Sequence, residues 1–189
     1  MGDDTGQDKG VSRRAMFRFG GGLLLAAGLL AVSPAEAARR MKQERSLAFE
    51  HLHTGEKLRR VYWAEGRYIP QALRDIHYLL RDYRTDEVRP INLGLLDLLY
   101  DIHRTVGSSK PFEIVSAYRS PRTNRMLANA SDGVARRSFH VQGMAADVRL
   151  ADRDLRKLRR VAMRLDRGGV GYYPASDFVH VDVGPQRSW

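Results

Sequence analysis

The sequence contains no cysteine among its 189 residues. This absence excludes a disulfide framework, zinc sites held by thiolates, iron–sulfur clusters and a cysteine nucleophile. Any metal in this protein must therefore be bound by histidine and carboxylate side chains. A chain of this length buries about two-thirds of the surface that its unfolded form exposes, so it needs no metal or disulfide to fold. We therefore expect a bound metal to serve function.

The sequence also lacks an apolar run long enough to span a bilayer. An uncharged, glycine-rich segment covers residues 20–32, whereas a membrane-spanning helix requires roughly 20 apolar residues. A segment this short is typical of the apolar core of a signal peptide. We therefore expect no stable membrane span in the mature protein.

The residues around this segment also indicate a signal peptide. Arg13 and Arg14 precede it, and an Ala-Glu-Ala sequence follows it at residues 35–37. The arginine pair favours the twin-arginine export route, and the small residues suit a signal peptidase. We predict a signal peptide over residues 1–37, one mature domain over residues 38–189 and a periplasmic location. An uncleaved N-terminal anchor is the alternative.

Acidic residues are outnumbered: 22 Asp and Glu stand against 32 Lys and Arg, for a formal net charge of +10. The predicted signal peptide contains as many acidic as basic residues, so the excess belongs to the mature domain. In the periplasm such a surface meets anionic lipid head groups and acidic cell-wall polymer, although basic residues also serve solubility. No RNA-binding motif or zinc-finger spacing is present, and we expect no nucleic-acid partner.

The mature chain predicts a single α+β domain in which helices flank a small, largely antiparallel sheet. Loose alternation on both sides of a Thr-Gly-Glu-Lys turn predicts a β-hairpin over residues 47–63. Apolar residues at helical spacing predict helices that begin at Pro70 and at Asn92, the second ending at Gly107. The remaining predicted elements are a strand over 112–117, a helix over 121–130, a strand over 144–150, a helix over 152–165 with Asp152 as its N-cap, and strands over 168–173 and 178–183.

Residues that could bind a metal are concentrated in the second half of the chain. His140 and Asp147 lie seven positions apart, and His180 falls in a predicted strand. Imidazole nitrogen and carboxylate oxygen both bind zinc at about 2.0–2.2 Å, and three protein ligands leave the fourth position of a catalytic site open for water. These three residues therefore form a candidate zinc site.

His140 and Asp147 can share a metal only if the chain folds back between them. In one extended strand they would point to opposite faces and lie more than about 20 Å apart. Gly143 could allow the reversal, and Ala145 and Ala146 are small enough for the returning segment to lie close to the metal.

Two further carboxylates lie near His180 in the sequence. Asp182 is two residues away in the same strand, so it could accept the second N–H of a ligating imidazole, although the spacing does not say of which histidine. Asp177 precedes the strand, where a turn could aim it at a zinc-activated water. We predict that Asp177 is the general base, with Asp182 as the alternative.

Arg119 lies where a predicted strand ends before a helix. A fixed guanidinium at this place could stabilise the negative charge that develops on a carbonyl oxygen during amide hydrolysis. A surface salt bridge is the alternative. We assign no role to the remaining histidines. His51 and His53 are two residues apart, so their spacing could resemble that of a pair of metal ligands.

Together, these motifs resemble the zinc signature of the lysostaphin, D-Ala-D-Ala peptidase and hedgehog superfamily. The signature is carried by Ser138-Phe139-His140 with Gly143, Ala145 and Asp147, and by His180-Val181-Asp182. Within the superfamily, residues 116–120, 169–173 and 187–189 are most similar to the bacterial murein endopeptidase K branch.

The resemblance implies a fold of the D-Ala-D-Ala peptidase type and a zinc ion held by His140, Asp147 and His180. It also implies a periplasmic endopeptidase that acts on the peptide cross-links of peptidoglycan, and a part for Arg119 in oxyanion stabilisation. Some relatives place Glu or His where Asp177 stands, which leaves the identity of the base open.

Two other functions stay open at this point. The first is a zinc-containing cell-wall binding module without turnover, since hedgehog proteins resemble this fold without requiring proteolysis for signalling. The presence of Arg119 and Asp177 favours an enzyme over such a module. The second is a basic structural protein of the envelope, which would hold no stoichiometric metal. For an enzyme, the sequence allows D,D- or L,D-endopeptidase and carboxypeptidase activities.

Overall fold

The computed structural model describes residues 44–131 and 133–189. The predicted signal peptide lies outside these residues. The described part contains four α-helices and a mixed sheet of eight strands, which confirms the α+β prediction. The strands are β1 (Arg45–His51), β2 (Lys57–Ala64), β3 (Arg67–Tyr68), β4 (Phe112–Ser116), β5 (Ala145–Arg149), β6 (Gly169–Tyr173), β7 (Phe178–Asp182) and β8 (Arg187–Ser188). The helices are α1 (Pro70–Leu79), α2 (Leu93–Val106), α3 (Pro121–Ala130) and α4 (Leu155–Leu165), and two short 3-10 turns cover Phe139–Gln142 and Pro174–Ser176.

The sheet is largely antiparallel, as expected, and its strand order is β3-β2-β1-β4-β5-β7-β6-β8. Within the described residues, the parallel pairs are β1 with β4 and β6 with β8. The predicted hairpin forms β1 and β2, and β1 joins the hairpin to the other strands through β4. The sequence pattern does not predict β3 and β8, because strands of two residues owe their extended form to a partner strand.

Side-chain caps mark the start of α2, α3 and α4, whereas α1 begins at Pro70 without one. The Asn92 side chain accepts a hydrogen bond at the start of α2, and Gly107 ends that helix in the left-handed conformation. At α4 the predicted N-cap is wrong. Asp154 caps the helix, because Asp152 instead accepts a hydrogen bond from the Ser108 hydroxyl at 2.6 Å. Among the described residues, no helix has both the length and the apolar character needed to cross a bilayer.

The two faces of the central strands differ in chemistry. Val148 on β5 and Val179 and Val181 on β7 belong to the buried core, together with the four leucines of α2 at positions 95, 96, 98 and 99. Asp147 and His180 alternate with these valines, and so they point to the opposite face. The fold therefore places a polar site on the face of the sheet that its core does not occupy.

Candidate metal centre

The three predicted metal ligands meet at one point of the structure. The register of β5 and β7 pairs Asp147 directly with His180, and the 3-10 turn before β5 contributes His140. His140 Nε2 lies 3.2 Å from His180 Nδ1, and Asp147 Oδ1 lies 3.2 Å and 2.9 Å from these two nitrogens. Three ligands at about 2.0–2.1 Å from a tetrahedral ion lie about 3.3 Å apart, so the donor atoms have the separation that a metal requires. This buried group could hold a metal ion.

A protein contact fixes the orientation of the His140 ring. Its Nδ1 lies 2.6 Å from the carbonyl oxygen of Ala117, to which it donates when that nitrogen carries the proton. The lone pair of Nε2 then faces Asp147. The turn that carries His140 begins at Ser138, whose hydroxyl accepts from the His140 N–H, and ends at Gly143 in the left-handed conformation. The chain reverses at this glycine, so that β5 returns past the histidine.

Asp182 fixes the second histidine in the same way. It lies 2.9 Å from His180 Nε2, which leaves Nδ1 to face the centre. Asp182 is fully buried, and it also accepts from the N–H groups of Gly169 and Gly184 and from both terminal nitrogens of Arg187. The carboxylate predicted to support a histidine therefore reaches the one on its own strand, and its acceptor positions are used within the protein.

The buried carboxylates are held in their charged forms. Burial raises the pKa of Asp147, but the charges and hydrogen bonds of His140 and His180 outweigh this effect and bring it below its ordinary value. Burial acts on Asp182 in the same direction, and hydrogen bonds from His180, Arg187 and the backbone again lower the pKa. Burial lowers the pKa of His140, which favours its neutral form, whereas at His180 burial is outweighed by the hydrogen bonds and charges of Asp147 and Asp182, which raise its pKa.

Arg119 lies beside this group, buried where the chain leaves β4. Its guanidinium makes long contacts, at 3.4 Å to Ser116 Oγ, 3.4 Å to Asn124 Oδ1 and 3.5 Å to Asp147 Oδ2. Its Nε is buried and makes no hydrogen bond within the described residues. A buried donor without a partner is costly, so this guanidinium retains unused capacity to bind an oxygen.

The structure does not bring Asp177 into contact with the three ligands. It has a φ of 53° at the end of the second 3-10 turn, and its carboxylate pairs with Arg149 at 2.6 Å. Together with Glu113 and Arg149 it lines a cavity that contains none of the three ligands. Its side chain is 63% exposed, and so it can change rotamer.

Two positioning residues have no signal in the sequence. Asp82 is buried and accepts the Ser120 N–H at 2.8 Å, which fixes the backbone next to Arg119. Asn124 accepts from Arg119 and donates to the carbonyl oxygens of residues 135 and 136 at 3.2 Å. Asp82 lies 38 positions before Ser120, and no periodicity connects residues so far apart.

A groove of about 640 Å³ opens above the three ligands. It is lined by Arg119 and by two walls. One wall is formed by residues 131, 133–135 and 137–139, and Asn124 holds the backbone at residues 135 and 136. The other is aromatic, with Tyr173, Phe178 and Trp189. His51 and His53 lie outside the groove, where both rings pack against Tyr83.

A family model described as peptidoglycan L,D-endopeptidase MepK matches residues 39–189. The chain is 38% identical over 179 residues to the peptidoglycan L,D-endopeptidase MepK of Escherichia coli strain K12, a match that covers 95% of this chain and 97% of the relative. It is 40% identical over 146 residues to the probable peptidoglycan L,D-endopeptidase MepK of Haemophilus influenzae strain Rd, covering 77% and 78% of the two chains. The resemblance seen in the sequence is thereby confirmed, and the chain belongs to the family of peptidoglycan L,D-endopeptidase MepK.

Proposed function

We propose that this protein is a zinc-dependent endopeptidase that hydrolyses the peptide cross-links of peptidoglycan. The observation that carries the proposal is the way in which the two histidines are held. Each ring has one nitrogen against a protein acceptor, Ala117 O or Asp182, while the other nitrogen lies about 3 Å from Asp147. This is how a protein orients imidazoles toward a metal.

The donor atoms fit zinc. Two imidazole nitrogens and one carboxylate oxygen leave one tetrahedral position free, and the ligands lie at the floor of an open groove. When bound, zinc supplies Lewis-acid chemistry that activates water and polarises a carbonyl group.

Arg119 is proposed to bind the oxygen of the scissile carbonyl as it becomes negative. Its loose contacts and its unpartnered Nε support this role, since a donor that already makes strong hydrogen bonds has less capacity for a new one. Asp182 is proposed to orient His180, because its oxygens are occupied by four neighbouring groups.

Asp177 is proposed as the general base. Its carboxylate is 63% exposed, and its chain neighbours Ser176 and Phe178 both line the groove. In this role Asp177 takes a proton from the attacking water and passes it to the leaving amine.

The bond that is cut is proposed to be a cross-link bond between an L- and a D-configured centre, in line with the L,D-endopeptidase name of the relatives. We further propose that residues 1–37 direct the chain to the periplasm by the twin-arginine route and that residues 38–189 are the working domain. The basic residues of this domain would concentrate it near the anionic cell wall.

The proposal is tested with the zinc-loaded chain and purified sacculi, by separating the muropeptides that are released. We expect cross-linked muropeptides to decrease, a chelator to stop the reaction and added zinc to restore it. The His180→Ala variant should lose zinc, and the Arg119→Ala variant should keep zinc while losing most of its turnover. Exposed Arg60, which pairs with Asp75 far from the groove, provides the control variant Arg60→Lys.

Other outcomes would contradict the proposal. A binding module would sediment with sacculi but leave every cross-link intact, with or without the chelator. A structural protein of the envelope would purify without stoichiometric metal, and unchanged zinc content in His180→Ala would remove this residue from the ligand set.

A further inference from the structure

The aromatic wall of the groove includes an indole placed next to a predicted metal ligand. The ring centroid of Trp189 lies 5.3 Å from that of His180. The indole N–H donates to the Tyr173 hydroxyl at 2.7 Å. Trp189 nevertheless keeps 46% of its surface exposed, on the groove. Trp189, Tyr173 and Phe178 together form contiguous apolar surface on the groove, and surface of this kind marks ligand-binding grooves.

The backbone around Trp189 fixes the indole in this position. The Trp189 N–H donates to Val170 O at 3.2 Å, and its carbonyl oxygen accepts from the Tyr172 N–H at 3.0 Å. The indole also lies directly against Gly171, where an added Cβ would be 2.7 Å from the ring. A larger residue at this position of β6 would therefore displace the indole.

Arg187 stiffens the same wall. Its guanidinium lies 5.0 Å from the ring centroids of both Phe139 and Trp189, and it pairs with the buried Asp182 at 2.6 Å. Ring contacts of this kind stabilise an arginine, and an ion pair with a buried carboxylate restricts its motion. The indole is therefore held rigidly before any ligand arrives, which lowers the entropic cost of binding.

We propose that Trp189 is a substrate-binding residue, whose exposed surface packs against the aliphatic part of a stem peptide and holds the scissile bond over the metal ligands. The inference rests on the proposed peptidase function. Trp189 offers no atom to a metal and no group for proton transfer, so its contribution is to substrate affinity. Tryptophan in a rigid, partly desolvated pocket is among the residues that contribute most to binding.

The first test measures kinetics on a purified cross-linked muropeptide with zinc-loaded full-length variants. We expect Trp189→Ala to raise KM about tenfold with kcat within about twofold, and Trp189→Phe, which keeps an aromatic surface, to raise KM only about threefold. Zinc content should not change. The matched control is Trp63→Phe on β2, whose indole packs against Arg45 away from the groove and should leave both constants unchanged.

The second test observes the contact directly. The chain contains two tryptophans, so Trp189 is the only indole that emits in the Trp63→Phe variant. The probe is an uncross-linked disaccharide tetrapeptide, which offers no cross-link to hydrolyse. We expect this muropeptide to protect Trp189 from quenching by acrylamide, with a midpoint close to its inhibition constant.

Three results would overturn the inference. The first is unchanged quenching at saturating muropeptide. The second is loss of zinc from Trp189→Phe, and the third is a fall in kcat at constant KM in the Trp189 variants. The second and third results would show that the indole supports the metal site. Failure of the proposed function looks different, because the unaltered zinc-loaded chain would then leave the cross-linked muropeptide intact. Protection of Trp189 could still be observed in that case.

Discussion

Single side chains at this site are held by contacts that leave little freedom. The fully buried Asp182 would cost several kcal/mol if it were unpaired, but His180, Arg187 and two backbone N–H groups satisfy it. Asp147 is charged for a similar reason, because it accepts a hydrogen bond from His180 when that ring carries the proton. Arg119 and Asp177 differ, since the first has a donor without a partner and the second is exposed. Arg119 thus keeps a donor that can bind a substrate oxygen, whereas Asp177 pairs with Arg149 but is exposed enough to change rotamer.

The role of Asp177 is tested by removing its charge. We expect Asp177→Asn to lower kcat by roughly 10²- to 10⁴-fold while zinc content stays constant, because the amide cannot accept a proton. Muropeptide release measures kcat, and metal analysis measures zinc. Part of the activity should return in Asp177→Glu.

The matched control is Arg149→Gln, which breaks the pair with Asp177 and also the pair between Arg149 and Glu113, but leaves the Asp177 carboxylate. The exposed pair with Asp177 should contribute less than about 1 kcal/mol to stability, so any larger loss in Arg149→Gln reports the pair with Glu113. If both variants lost activity equally, the ion pair would be responsible and Asp177 would not be the base.

At the scale of elements, the site depends on one tight turn between His140 and β5. Gly143 has a φ of 67°, and its carbonyl oxygen accepts from the Asn92 N–H at 2.9 Å. A Cβ at this position would lie only 2.6 Å from Pro90 O. Two requirements, a left-handed backbone and space for a neighbouring chain, therefore meet at one glycine.

We expect Gly143→Ala to lower the free energy of unfolding more than Gly107→Ala does, by about 1–3 kcal/mol, and to weaken zinc binding. Gly107 also has a positive φ, of 70°, but has no atom within 4 Å of an added Cβ. The difference between the two variants, measured by urea unfolding, therefore isolates the clash with residue 90. An equal loss of unfolding free energy in the two variants would show that only the left-handed backbone conformation matters.

At the scale of the whole molecule, β1 connects the N-terminal hairpin to the strands that carry the site. His51, at the end of β1, is buried against Tyr83, and its Nδ1 accepts from the His53 N–H at 3.2 Å. Burial lowers its pKa from 6.5 to about 4; the nearby His53 and Arg81 act in the same direction, and Glu56 opposes them. The folded protein therefore excludes a proton that the unfolded chain binds.

This difference makes His51 an acid-sensitive part of the fold. Between pH 6.5 and about 4 the unfolded state binds more protons, so the free energy of unfolding should fall as the pH falls. Between pH 7 and pH 4.5 the free energy of unfolding of His51→Gln should fall by roughly 2 kcal/mol less than that of the unaltered chain. Urea unfolding at each pH measures both values. Identical losses in the two proteins would contradict a buried, neutral His51.

Much of the fold could be predicted from the sequence because its signals are local. Alternation and helical spacing identified the hairpin, α1 and α2, and small residues at the chain reversal marked the return to β5. Prediction failed where two local signals competed, as at Asp152 and Asp154, since only the contact with Ser108 decides between them. It also missed β8, which exists through its pairing with β6.

For the site, the sequence by itself determined the chemistry: without cysteine, a metal must be held by histidine and carboxylate, and His140, Asp147 and His180 stood in a recognisable pattern. Only the tertiary structure decided which nitrogen of each ring faces the centre, that Asp182 supports His180, and that Trp189 lies beside it. These facts depend on contacts between residues far apart in the chain. Such contacts follow from strand register and packing, which no local pattern specifies.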